Sequence, residues 1–416
     1  MSFSALQQIE ACPLQWALLH AKYANLGNAG GYPKSSNFSA LRGSVLHRTL
    51  AVVIRGLVAA GCTGLGDRQA IAVMKSMGGF TALISRTVDD VLAGEADNFR
   101  MRAHQSSLRL RFVRELPEIR ERLQFLLSRL RVEPGAARRR TTSRTLRTTA
   151  PSRGIGNGVY HEVVLRSQRL GWTGTADLIE VAESHVQITE FKTSEYSELH
   201  MAQLYTYAVL WRCDERLNPS RRLANRLVVS YPEKDVLVPQ LAPEELSRRE
   251  KELLERTQAA LIECAQVPPR AKPDPSTCPH CQVRQLCATY WTASCIRNSE
   301  SPESTHSVDC EIRIISPRGP RSWNATLLSA PGVTALNLPQ SCVLYLRGYD
   351  HPSSASITSG TLARLLNCRL RFVDESLESE LLLETTPSSE IFRVRDSTSA
   401  TVDRAGGAPT EAVQAD

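Results

Sequence analysis

No run in this 416-residue chain is apolar for long enough to cross a bilayer, which takes about 20 consecutive apolar residues as a helix. The opening MSFSALQQIEACPLQW has neither a basic n-region nor an unbroken apolar h-region, so it does not read as a secretory signal. No Gly-rich loop ends in Gly-Lys-Ser or Gly-Lys-Thr, which excludes a P-loop motor within the sequence. No internal repeat is visible, which argues against a solenoid or propeller. The expectation is a cytoplasmic protein with no membrane partner. In that compartment thiols stay reduced, so clustered cysteines point to metal or catalysis rather than to disulfides.

Hydrophobic residues make up 42% of the chain and charged residues 22%, enough to build an ordinary globular core. The formal net charge of +7 permits a polyanionic partner. Of eleven cysteines, Cys62, Cys213, Cys264, Cys310, Cys342 and Cys368 stand singly in apolar surroundings and read as small buried hydrophobes.

Along the chain, residues 4–24 look helical, with Ser4 and Gln7 as a capping box. Pro13 suits the first turn of a new helix, which puts Cys12 at a helix–helix junction. An apolar stripe at helical spacing (Leu46, Leu50, Val53, Ile54, Leu57) follows a loop at 25–39. Residues 98–131 read as a long Arg-rich helix, followed by a Thr/Arg/Gly/Pro stretch to about 153. Its Arg138, Arg139, Arg140, Arg144 and Arg147 have no acidic neighbours; they are either a solvated face or contacts for nucleic-acid phosphates. Strands follow in HEVVLRSQ, GWTGTADLIEVA and HVQITEFKT, then a helix over 199–212, a strand RLVVSYPE and a helix over 242–265. That order predicts a mixed α/β (α+β) fold over residues 1–299, with a helical, Arg-rich insertion at about 98–153. Short strands after residue 300 predict a small β-rich module to about 395, OB-like or similar, able to hold nucleic acid or a partner. Residues 396–416 read as a disordered tail by composition.

The chemistry concentrates in ITEFKTSE. Glu190 and Lys192 are two apart, so a strand points them to one face. A hairpin would bring back Asp177, which follows the small residues Gly174, Thr175 and Ala176 and so leaves room for a ligand. Two carboxylates make a hard-oxygen site for Mg²⁺ or Mn²⁺, and a lysine beside them can orient a water and offset negative charge. Taken alone, the motif reads more readily as a surface Glu–Lys pair. Gln203 and Tyr207 share one face of the next helix, and His47, four after Gly43, could supply an imidazole. Cys278, Cys281 and Cys287 form C-x2-C-x5-C and need a fourth ligand from Cys12, His280 or Cys295. Zinc is the generic reading and an iron–sulfur cluster the alternative.

Six segments in order resemble the RecB/AddB branch of the PD-(D/E)xK nuclease superfamily, which includes exonuclease V and the CRISPR-associated iron–sulfur nucleases. They are SFSALQQIEACPLQW, RGSVLH, GWTGTADLIEV, ITEFKTS, QLYTY and CPHCQVRQLC, spanning roughly residues 2–292. The resemblance implies a restriction-endonuclease-like core, a mixed sheet flanked by helices. It implies Mg²⁺ or Mn²⁺ on His47, Asp177 and Glu190, a catalytic Lys192, and supporting roles for Gln203 and Tyr207. It also implies a 4Fe–4S cluster on Cys12, Cys278, Cys281 and Cys287. The implied activity is a metal-dependent deoxyribonuclease, an exonuclease acting on single strands or ends in repair, recombination or defence, with any helicase a separate protein. The competing readings are a catalytically silent nucleic-acid-binding or scaffold subunit and a zinc-cluster interaction module.

Overall fold

The computed structural model describes residues 1–23, 26, 31–35, 37–102, 104–131, 154–292, 307–333, 338–347, 357–375 and 378–394. The chain divides into two compact units, one of Met1–Lys272 with His280–Arg284, the other of Pro273–Pro279 with the residues from Gln285 on. The expected tail at 396–416 and the arginines at 138–147 lie outside the described residues.

In the first unit, α1 (Phe3–Ala11) and α2 (Pro13–His20) meet at Cys12. The capping box expected at Ser4 is not the cap. Ser2, in extended conformation, takes the Ala5 N–H, and Ser4 lies inside the helix. Cys12 ends one helix and starts the next, its Sγ accepting from the Gln15 N–H at 3.4 Å with Pro13 in the first turn. The stripe around Leu46 becomes α3 (Phe38–Ala59), capped by the Asn37 side chain. Four more helices follow: α4 (Arg68–Ser76), α5 (Gly79–Gly94), α6 (Phe99–Arg102) and α7 (Gln105–Arg129).

The sheet contains β1 (Gly158–Ser167), β2 (Trp172–Val181), β3 (Val186–Phe191), β4 (Arg226–Ser230) and β5 (Asp235–Val238), in that spatial order. All neighbours are antiparallel except β3 and β4. A parallel pair needs a crossover, and α8 (Glu198–Cys213) supplies it; α9 (Pro243–Ala265) follows β5. Two cores form. In one, Leu6 and Ile9 of α1, Leu204 and Trp211 of α8 and Leu253 of α9 pack with Ile179, Ile188 and Leu227 of the sheet. In the other, Leu46, Ile54 and Leu57 of α3, Ile84 of α5 and Leu123 of α7 pack with Leu178 and Phe191. This is the mixed sheet between helices that the order of elements predicts.

The second unit contains α10 (Ala288–Thr292) and six strands: β6 (Val308–Gly319), β7 (Ser322–Ser329), β8 (Gln340–Tyr345), β9 (Leu362–Glu375), β10 (Glu378–Glu384) and β11 (Glu390–Arg393). Their order is β10-β8-β7-β6-β9-β11, and β9 also pairs with β10. That extra pairing closes five of the strands into a barrel. It is possible because β9 is long: its first part pairs with β6 and its second with β10. Asn367 stands between the two parts at φ 57, a left-handed conformation that Asn tolerates better than most residues. The interior is apolar, with Ile312, Leu327, Leu344, Leu365 and Leu383 among its members. Among the described residues no helix is long and apolar enough to cross a membrane.

One polar contact inside the first core sets a test of packing. The Trp172 indole N–H donates to the Thr257 hydroxyl at 2.8 Å, and both residues are buried. Thr257→Val keeps the shape but leaves the indole N–H unpaired, so it should lower unfolding free energy by about 1 to 3 kcal/mol. The midpoint of urea denaturation checks this; an unchanged midpoint would show that the contact contributes nothing.

Candidate active site

The hairpin of β2 and β3 sets the register. Val181 pairs with Val186 and Leu178 with Thr189, where the ladder between the two strands stops. One step further in the same register puts Asp177 opposite Glu190. Ala176 packs in one core and Leu178 in the other, though they are two residues apart, so the alternation of β2 turns over at Asp177. The Asp177 carboxylate fills the gap where the strands part. Its Oδ2 accepts the Phe191 N–H at 2.8 Å, and its Oδ1 meets His47 Nδ1 at 3.2 Å.

Glu190 and Lys192 share a strand face, as their spacing requires, and Lys192 stays tied to β4 through its N–H to the Ser230 carbonyl at 2.9 Å. Lys192 Nζ donates to Glu190 Oε1 at 2.9 Å and to Gln203 Oε1 at 2.8 Å. Gln203 Nε2 then donates to the Tyr207 hydroxyl at 2.7 Å. Gln203 and Tyr207 are one turn apart on α8, so a single helix face presents both. All six residues (His47, Asp177, Glu190, Lys192, Gln203 and Tyr207) are thereby brought into two hydrogen-bonded sets at the β2–β3 fork.

Burial shapes the electrostatics. Glu190 is 4% exposed. Desolvation lifts its carboxyl to about 7, Asp177 adds repulsion, and Lys192 pulls the other way. For His47, burial lowers the imidazole, but the hydrogen bond and charge of Asp177, with that of Glu190, outweigh it and leave the group raised. Desolvation raises the Tyr207 phenol, with Glu190 reinforcing the shift, so it stays protonated. Among the described residues, Glu190 Oε2 is buried without a hydrogen-bond partner. Such an orphan acceptor beside a second carboxylate fits a cation.

Gly174 corrects one expectation. A Cβ there would come within 2.8 Å of the Tyr207 ring and 3.2 Å of Leu210. The space beside this glycine is therefore taken by α8, not left for a ligand. Two contributors were not singled out in the sequence. His200, three residues before Gln203 on α8, bonds the Tyr231 hydroxyl at 2.8 Å, and burial and Lys192 lower its imidazole. Its i, i+3 spacing from Gln203 was a readable signal. Arg122 of α7 donates to the Thr193 carbonyl at 2.9 Å, just beyond Lys192, a contact with no local signal at all. A cavity of about 530 Å³ is lined by residues such as Arg129, Gln187, Thr189 and Arg226 and includes none of the six. The fork, with its carboxylates and lysine, is the better candidate because it holds the chemistry.

The cysteines are placed differently. Cys12 and Cys281 belong to the first unit, and Cys278 and Cys287 to the second. Cys278 begins a short turn, its Sγ accepting from the Asp274 N–H at 3.3 Å. Among the described residues no group of three or more His, Cys, Asp or Glu side chains is gathered as a metal-binding set. Cys295 lies outside the described residues.

The sheet, its flanking helices and the Asp–Glu-x-Lys fork define the restriction-endonuclease-like class. The family model of the PD-(D/E)XK nuclease superfamily matches residues 1–288, and the chain belongs to that superfamily. Members hydrolyse phosphodiester bonds and usually use Mg²⁺ or Mn²⁺. No curated protein matches the chain. Among solved structures, one titled "Crystal structure of SSO0001" is 20% identical over 31% of this chain and 59% of its own, with a TM-score of 0.20. The Schizosaccharomyces pombe Pot1pC bound to ssDNA is 15% identical over 25% of this chain and 91% of its own, with a TM-score of 0.17. Neither score reaches that of a shared overall fold.

The raised Glu190 carboxyl makes stability depend on pH. Between its ordinary value of 4.5 and about 7, the folded chain holds a proton that the unfolded chain has released. Stability of the metal-free protein therefore falls as pH rises through that window, by on the order of 3 kcal/mol from this group. His47, also raised, acts in the same direction at higher pH. Glu190→Gln should flatten the fall in melting temperature between pH 5 and 8, measured in EDTA by calorimetry; parallel curves for the two proteins would refute the assignment.

Proposed function

We propose that this chain is a metal-dependent deoxyribonuclease that acts on single strands or ends. The observation that carries the reading is the buried Glu190 carboxylate, hydrogen-bonded to Lys192 through one oxygen and unpartnered at the other, with Asp177 across the fork. Asp177 and Glu190 would hold a divalent cation, which lowers the pKa of a bound water and offsets charge on the scissile phosphate. The chain's own groups do the positioning. His47 and the Phe191 N–H hold Asp177 in place. Gln203, itself held by Tyr207, and Glu190 fix Lys192 from two sides. An ammonium so held can orient the attacking water and stabilise charge that develops on the phosphate. Burial favours the protonated form of Glu190 in the metal-free site, and a cation held there would favour the ionised form.

The finer reading places the chain in the RecB/AddB branch, working in repair, recombination or defence with strand separation by a separate helicase. Its support is the order of the six sequence motifs. The 4Fe–4S cluster on Cys12, Cys278, Cys281 and Cys287 rests on the C-x2-C-x5-C motif and on Cys12 at the junction of α1 and α2. No step of hydrolysis passes through it.

End-labelled single-stranded and duplex DNA, incubated with Mg²⁺ or Mn²⁺, tests the activity. Wild type should degrade the single strand, and Lys192→Ala should slow it roughly 100- to 1,000-fold without loss of fold by circular dichroism. No degradation by wild type, or equal rates, would sink the reading in favour of a silent binding subunit. Anaerobically purified protein should be brown and carry iron and sulfide, and Cys12→Ala should lose both. Colourless protein that carries zinc would favour the zinc module.

A further inference from the structure

The barrel of the second unit has a definite topology. β6, β7 and β8 form an antiparallel meander, β8 pairs in parallel with β10, β10 pairs antiparallel with β9, and β9 returns antiparallel to β6. Numbered from the start of the barrel, that is the closed order 1-2-3-5-4-1 with strands 3 and 5 parallel. It is the Greek-key order of the OB barrel, a fold that can carry ligands across its second and third strands and the loop joining its first and second. The barrel strands lie outside the region matched to the nuclease superfamily, residues 1–288.

Topology alone does not make a site, since one fold carries many functions. The outer face supplies the chemistry. Tyr345, at the end of β8, points outward, because its neighbour Leu344 belongs to the interior. The strand registers set Tyr345 beside Ser322 of β7 on one side and Glu384 of β10 on the other, with Arg369 of β9 next in the row. Arg321, in the β6–β7 hairpin, lays its guanidinium over the Tyr345 ring, 5.6 Å from its centroid. Arg347 and Arg371 approach Glu384 at 3.5 and 4.0 Å, and both are more than half exposed. Among the described residues, four guanidiniums (321, 347, 369 and 371) thus gather around the Tyr345 ring and the Glu384 carboxylate. Arg318, further along β6, is paired with Glu380.

We propose that this face binds single-stranded nucleic acid, with an unpaired base stacked on the Tyr345–Arg321 platform and the phosphates running along Arg347, Arg369 and Arg371. A ring-and-guanidinium platform suits a base of any sequence, because every base offers a π face. The guanidiniums, spread across neighbouring strands, suit a chain that carries one negative charge per nucleotide. A duplex does not fit this chemistry, since its bases are stacked on one another. The site is distinct from the carboxylate fork and does not depend on whether the fork cleaves.

The test uses the full chain in EDTA, so that cleavage plays no part. Fluorescence anisotropy of a labelled oligo(dT) gives the affinity and its salt dependence. Tyr345→Ala should weaken binding tenfold or more, while Tyr345→Phe, which keeps the ring, should bind within about twofold of wild type. Arg371→Ala should weaken binding and reduce the slope of log K against log salt by about one. An oligonucleotide carrying 5-iododeoxyuridine should photocrosslink to peptides from β7 or β8. Affinity unchanged in both Tyr345→Ala and Arg371→Ala, with crosslinks confined to residues 1–284, would overturn the proposal. So would an oligonucleotide that does not bind the full chain at all.

Discussion

The first unit turns on one hydrogen bond between a side chain and the backbone. β2 and β3 separate after the Leu178–Thr189 pair, and a parting ladder leaves backbone groups without strand partners. The Phe191 N–H is one of these, and the Asp177 carboxylate takes it at 2.8 Å. That bond does two things together. It satisfies the open end of the sheet, and it aims a carboxylate at the strand that carries Glu190 and Lys192. The other oxygen of Asp177 reaches α3 through His47, and Lys192 reaches α8 through Gln203. Helices from both faces of the sheet are thus tied to the same gap, where no third strand fills the space.

That arrangement explains why the fork is electrostatically unbalanced. Two carboxylates face each other at the fork, one of them 4% exposed, and a single lysine lies between one of them and an amide. Burial and mutual repulsion together raise Glu190. A purely structural ion pair would be expected to satisfy both carboxylate oxygens; here one is left over. Unsatisfied buried charge is a cost that a fold keeps when the site has a use for it.

The second unit solves a different problem. A six-stranded open sheet would expose two edges. A long β9, turned over at Asn367, closes five strands instead and leaves β11 at a rim. Closure gathers an apolar interior and leaves Tyr345 on the outer face beside charged side chains. The meander and the parallel β8–β10 pair arise from the order in which the strands find partners, and that order places Tyr345 and the β6–β7 hairpin side by side.

Much of this was legible in the residues. The helical stripe of α3, the junction at Cys12, the strand–helix–strand order and the same-face placement of Glu190 and Lys192 follow from local periodicity, Pro13 and the pleat. The cap at Ser2 in place of Ser4, and the use of the Gly174 space by Tyr207, did not follow, because both depend on where neighbouring backbone comes to rest. His200 had a spacing signal; Arg122 had none, since its partner is a backbone carbonyl 71 residues away. The sequence by itself determined which residue types were available, at which periods, and on which side of a strand or helix. Only the tertiary structure decided the β2–β3 register, the end of the ladder at Leu178, the orphan oxygen of Glu190 and the closure of the barrel. Those depend on pairing between distant segments, and a pattern with a period of two or of 3.6 residues fixes a face but not a partner.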